Sequence, residues 1–187
     1  MVHYQSTRGY KETLSFQDVI LSGLAPDKGL YLPDSITLEN LAYLTQEDLS
    51  YEDFVKTIFI SLDQTSAKYV EDLAIYPGFE NSPEPILKEL NASTVVMELF
   101  HGPTKSFKDY ALQPLGAIAN RRLDELGERG LVIVATSGDT GSAAIQAVKS
   151  SENIDIVVLH PANKVSEYQR KQMTSVIQDN VLNIAVE

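Results

Sequence analysis

The sequence predicts an α/β protein, with a helical N-terminal segment over residues 1–91 and a partial α/β domain over residues 92–187 built on an open parallel βαβ sheet. Three observations carry that prediction. Four short apolar runs, Thr94 to Leu99, Leu131 to Ala135, Ile154 to Leu159 and Val181 to Val186, alternate with longer amphipathic segments. The first half instead reads as short helices separated by turns. Between the halves, the segment Pro77 to Pro85 holds three prolines and a glycine, where regular structure lapses, and the boundary falls near Asn91.

Taken in order, Ser15-Phe16-Gln17-Asp18 can start a brief helix that Gly23 would end. Ser50-Tyr51-Glu52-Asp53 is a second capping pattern, and Phe54, Val55, Ile58, Phe59 and Leu62 follow it on one helical face. The four apolar runs predict parallel strands buried on both faces, with the intervening helices as cover. Pro114 interrupts the helix expected from Phe107 to Leu126, so a kink or a helix start nearer Pro114 is expected. The last run reaches Val186, next to the final residue, and would leave an unprotected sheet edge. The chain is therefore expected to be the N-terminal piece of a longer protein.

Composition narrows the function. Fifteen basic against 26 acidic residues give 187 residues a net charge of −11, which repels phosphate backbones and disfavours nucleic acid. Cysteine is absent, and His3, His101 and His160 are scattered, so no metal site is expected. No run approaches the ~18 apolar residues of a membrane span. Nor do the first ten residues pair a basic stretch with an apolar one, so the reading is a soluble, cytoplasmic protein.

Two segments can carry chemistry. Phe100-His101-Gly102-Pro103-Thr104-Lys105-Ser106-Phe107-Lys108-Asp109 follows the first apolar run, and ligands of open α/β sheets bind at the carboxyl ends of strands. Spacing alone favours a basic surface loop. A P-loop is excluded, because Thr104 and Leu99 stand where its glycines belong. Ala135-Thr136-Ser137-Gly138-Asp139-Thr140-Gly141 runs from a strand into a helix rich in small residues. Hydroxyls and N–H groups at a helix start suit a carboxylate or phosphate. A capped helix start is the plainer alternative, and Gly138 and Gly141 do not complete a dinucleotide fingerprint.

Together, His-Gly-Pro-Thr-x-x-Phe-Lys-Asp and Thr-Ser-Gly-Asp-Thr-Gly resemble the threonine synthase family. Tyr4-Gln5-Ser6-Thr7-Arg8-Gly9 and Gly23 to Pro33 are similar to that family's opening in its longer bacterial and fungal type. Lys28 stands where a glycine is common, and Lys105 where a small or apolar residue is frequent. The resemblance implies the pyridoxal-phosphate fold of type II, shared with tryptophan synthase β. It also implies conversion of O-phospho-L-homoserine and water to L-threonine and phosphate, with pyridoxal 5'-phosphate as cofactor. Lys108 then forms the Schiff base, takes the Cα proton and relays protons at neighbouring carbons. For the turn, the resemblance implies substrate-carboxylate binding by Ser137, Thr140 and the backbone of Gly138, and cofactor contact by Asp139. Lys164 and Ser166, at the end of the third apolar run, are candidates for the substrate phosphate, against a solvated lysine and a helix cap. His101 reads equally as substrate contact or loop packing, and Asp109 as a helix-start carboxylate or a catalytic group. The family's cofactor-phosphate loop, a glycine-rich turn after Ser-Gly-Asn, is not found in the sequence and is expected beyond Glu187.

Two other functions share these residues. A related phospho-lyase would release a keto acid instead of adding water at Cβ. A cofactor-free interaction module is the second, and the intact Lys108 counts against it.

Overall fold

A computed structural model of the chain describes residues 2–35 and 49–187. They form two compact units, Met1–Ala74 and Ile75–Glu187.

In the first unit, β1 (Tyr4–Ser6) pairs antiparallel with β2 (Tyr31–Pro33). Asp27 fastens the loop between them, accepting from the Ser6 hydroxyl at 2.7 Å and from the N–H groups of Tyr10 and Gly29 at 2.8 and 2.9 Å. Lys28 follows with φ 64°, a left-handed conformation that costs a side-chain-bearing residue more than it would a glycine. The capping signals mark real helix starts. Ser15 precedes α1 (Phe16–Val19), though its hydroxyl bonds the Asp18 carboxylate at 2.6 Å instead of a backbone N–H. Ser50 caps α2 (Tyr51–Leu62) by accepting from the Asp53 N–H at 3.1 Å. A 3₁₀ turn (Gln64–Ser66) and α3 (Ala67–Val70) complete the unit. Its core gathers around the buried ring of Phe16, 6.3 Å from that of Tyr4, 6.4 Å from that of Phe59 and 6.1 Å from that of Tyr69.

The second unit corrects two expectations. The first apolar run is not a parallel strand: β3 (Ile86–Asn91) and β4 (Thr94–Glu98) form an antiparallel hairpin. The Asn91 side chain closes its turn by accepting from the Ser93 N–H at 3.0 Å. Asn91 is thus a hairpin corner, and the compact units part between Ala74 and Ile75. Only the other three runs, β5 (Gly130–Ala135), β6 (Ile154–Pro161) and β7 (Val181–Val186), make the parallel sheet, in the order β5-β6-β7. Successive crossovers running the same way, β5 to β6 to β7, put α5 (Asp139–Val148) and α6 (Glu167–Thr174) on one face, where both contribute to one core. There Ile145, Val148, Ile154, Ile156, Val158 and Met173 form the core. The opposite face is not covered by the described residues, and Leu131, Ile133 and Leu182 are 60%, 64% and 54% exposed.

The second correction concerns the start of α4, which runs from Asp109 to Leu126 with Pro114 inside it and so does not begin near that proline. A proline at that position cannot donate to the carbonyl of Tyr110 four residues earlier. The buried Tyr76 hydroxyl donates to that carbonyl instead, at 3.0 Å, so the orphaned acceptor is satisfied from outside the helix. Tyr76→Phe is expected to cost about 1 kcal/mol in urea denaturation. In a Pro114→Ala background the same change is expected to cost much less, because the alanine N–H can take the carbonyl. The helix ends on Gly127 at φ 66°, a left-handed C-cap.

Candidate active site

The loop from Phe100 to Lys108 owes its shape to Asp109, the first residue of α4. Its fully buried carboxylate accepts from the Thr104 N–H at 2.9 Å and the Thr104 hydroxyl at 2.8 Å, drawing the loop back over the helix start. Gly102 leaves room for it, since a Cβ there would meet the Asp109 carboxylate. Burial pushes the Asp109 carboxyl above the usual carboxylate range, while the Thr104 bonds pull the other way. A folded-state value raised above the unfolded one means that Asp109 contributes stability at acid pH that is lost as pH rises through the folded value. Asp109→Asn keeps the shape and can keep both bonds, because the Thr104 hydroxyl can turn to accept. We expect Asp109→Ala to cost about 2–3 kcal/mol and Asp109→Asn less than about 1, with a weaker loss of stability above the carboxylate range, read from urea titrations against pH.

With Asp109 fixed, Lys108 is set at the N-cap of α4, its side chain 26% exposed. Its Nζ donates to Asp139 Oδ2 at 2.9 Å and lies 4.7 Å from the centre of the Phe107 ring. Asp139 is the first residue of α5, so this ion pair joins the two segments singled out in the sequence. The Lys108 ammonium holds the Asp139 carboxyl below the usual carboxylate range, helped by the Ser106 hydroxyl at 3.3 Å.

The turn between β5 and α5 is tied by Thr136, whose hydroxyl oxygen accepts from the Gly138 N–H at 3.1 Å. Ser137 and Thr140 are exposed on either side. Gly138 leaves room for an α6 side chain: a Cβ there would lie 2.6 Å from Gln169 Nε2 and push that amide aside.

Two residues that motif reading missed come from α6. Gln169 donates from Nε2 to Asp139 Oδ1 at 3.2 Å, and Gln172 donates from Nε2 to the Thr104 carbonyl at 2.9 Å. One signal could have found the first. Ser166-Glu167-Tyr168-Gln169 is a capping box, with the Ser166 oxygen accepting from the Gln169 N–H at 3.3 Å and its hydroxyl donating to Gln169 Oε1 at 3.0 Å. Ser166 therefore acts as a helix cap, and with Thr104, Ser106, Asp139 and Gln169 it lines a cavity of about 380 Å³. Lys164 is exposed and does not line that cavity. His101 turns toward the hairpin, its Nε2 3.0 Å from Glu98 Oε2, while Lys88 Nζ is 2.9 Å from Glu98 Oε1. Lys88 and then His101 hold the Glu98 carboxyl below its usual range. A larger cavity of about 660 Å³ lies beside this loop, lined by His101, Gly102 and Lys105 with Gly78, Glu80 and Glu84. Among the described residues no cluster of metal-ligating side chains is present, and no helix is long and apolar enough to cross a membrane.

Comparison with known proteins converges on one family. A family model described as the threonine synthase N terminus matches residues 3–71. A threonine synthase of Pseudomonas aeruginosa is 44% identical over 193 residues, covering all of this chain and 41% of the relative. A threonine synthase-like 2 protein of Xenopus laevis is 37% identical over 98% of this chain and 40% of its own length. Among solved structures, a PLP-bound threonine synthase from Brucella melitensis superposes with a TM-score of 0.85 at 36% identity, over all of this chain and 41% of that one. The chain thus spans about two fifths of the length of the relatives it matches.

Proposed function

The chain belongs to the threonine synthase family, corresponding to its N-terminal part, and from that membership we propose that it serves a pyridoxal-phosphate-dependent lyase making L-threonine and phosphate from O-phospho-L-homoserine and water. The observation that carries the proposal is the 2.9 Å contact between Lys108 Nζ and Asp139, which brings the two motif segments to one point. The residues there fit the cofactor. Lys108 presents a partly buried primary amine, and it stands beside the N-terminus of α5, where N–H groups and the helix dipole favour anions.

Lys108 would hold the cofactor and, as a free amine, take the proton from the substrate Cα. Pyridoxal phosphate, when bound, supplies an electron sink for the pair left at Cα. Asp139 steadies the ammonium whenever Lys108 carries a proton, and it would lie against the cofactor. Ser137, Thr140 and the backbone of Gly138 would receive the substrate carboxylate. Lys164 and Ser166 remain our candidates for the substrate phosphate; of the two, Ser166 has the stronger support, because it shares a cavity with Asp139. Every residue in this proposal lies within 92–187, the part we assign to the chemistry. A cytoplasmic setting belongs to the same proposal.

The test is a product assay on the full-length protein with O-phospho-L-homoserine. Phosphate and threonine in equal amounts support the proposal; phosphate with a keto acid and no threonine would make the enzyme a phospho-lyase using the same lysine.

A further inference from the structure

We propose that Gln169 is a positioning residue, the part of α6 that fixes the Asp139 carboxylate and through it the reactivity of the Lys108 amine. The inference deepens the reading of Lys108 as the functional amine and rests on it for its purpose, though not for its test.

Asp139 has two carboxylate oxygens with different partners. Oδ2 takes Lys108 Nζ at 2.9 Å and the Ser106 hydroxyl at 3.3 Å, while Oδ1 takes Gln169 Nε2 at 3.2 Å. A carboxylate at the end of a single rotatable stem, 46% exposed, keeps one orientation only if both oxygens are held. Gln169 supplies the second hold and is itself oriented, since the Ser166 hydroxyl donates to its Oε1 at 3.0 Å, which turns Nε2 toward Asp139. Glycine at position 138 leaves this amide room over the turn, as a Cβ would sit 2.6 Å from Nε2 in its present place. Gln172, one turn further along the same helix face, bonds the Thr104 carbonyl at 2.9 Å. Met173 is fully buried and anchors that face in the core. One short helix therefore reaches both segments that form the Lys108–Asp139 pair. Neither Gln169 nor Gln172 belongs to either sequence motif.

The test reads the amine directly, without a cofactor. The full-length protein, freed of any bound cofactor, is treated with acetic anhydride, and the acetylation rate of Lys108 is measured by peptide mass spectrometry against the exposed Lys11 in the parent, Gln169→Leu and Gln169→Glu proteins. Leucine keeps the volume but removes the donor, so the carboxylate can turn away and Lys108 is expected to react roughly three- to tenfold faster. Glutamate keeps the shape but adds a second carboxylate beside the ammonium, so the rate is expected to fall below that of the parent. Lys11 should not change, and circular dichroism checks that each variant is folded. Equal Lys108 rates in all three proteins would overturn the inference, as packing alone does not distinguish leucine from glutamate in these opposite directions. A parallel incubation with pyridoxal phosphate and borohydride separates the two readings. Acetylation that follows residue 169 with no trapped label on Lys108 leaves the positioning role standing and removes the cofactor role. Trapped label on Lys108 with acetylation indifferent to residue 169 does the reverse.

Discussion

Lys108→Ala in the full-length protein is expected to lower kcat/KM for the proposed substrate O-phospho-L-homoserine by at least about 10³-fold, because on the proposed reading the substitution removes both the amine that would hold the cofactor and the base at Cα. The fold should barely notice. Lys108 is partly exposed, and among the described residues its Nζ meets the Asp139 carboxylate and the Phe107 ring. A partly exposed pair of this kind contributes about 0–1 kcal/mol, so the melting temperature should shift by only a few degrees. Lys108→Arg keeps the charge beside Asp139 but cannot supply a neutral amine, and it should be as inactive as the alanine variant. Activity retained within about tenfold in either variant would remove Lys108 from the chemistry. Steady-state assays with phosphate release as the readout decide the matter.

The largest effect on stability is expected at Gly116, where α4 crosses α5. A Cβ at this position would lie 2.7 Å from the Ala147 carbonyl oxygen and 3.2 Å from Val148 Cγ1. The first of these is backbone and cannot swing aside, so the helices must separate and open the core around Ile145 and Val148. Alanine is favoured over glycine in a helix interior by about 1 kcal/mol, and the clash has to exceed that gain. We expect Gly116→Ala to lose about 1–2 kcal/mol and Gly116→Val about 3 or more in urea denaturation. Gly23, with no heavy atom within 4 Å of a built Cβ, serves as the control, and Gly23→Ala should stay within about 0.5 kcal/mol. If Gly116→Val proved as stable as the parent, the close crossing of α4 and α5 would be wrong.

How far these features could be read from the sequence depended on the range of the interaction. Short-range signals were legible. Ser15 and Ser50 mark true helix starts, and three of the four apolar runs are the strands of the parallel sheet, because capping and strand patterning act over a few residues. The pairing partner of a strand is not a local property. Thr94 to Glu98 pairs with Ile86 to Asn91, a run whose charges at Lys88 and Glu89 mask its strand character, and so an antiparallel hairpin reads as the edge of a parallel sheet. Pro114 misleads for a related reason: the hydroxyl that compensates it belongs to Tyr76, far earlier in the chain. At the site, the two motifs name Lys108 and Asp139, and the structure places them in contact. Gln169 and Gln172 escape because their partners are 30 and 68 residues away, and a glutamine on a helix carries no signal of what its amide reaches.

The central claim is that Lys108 is the amine that holds the cofactor. The most direct measurement incubates the full-length protein with pyridoxal phosphate, reduces with borohydride and locates the adduct by peptide mass spectrometry. A single stoichiometric label on Lys108, absent from Lys108→Ala, is the predicted result. Label spread over surface lysines such as Lys105 and Lys149, with Lys108 unmodified, would contradict it.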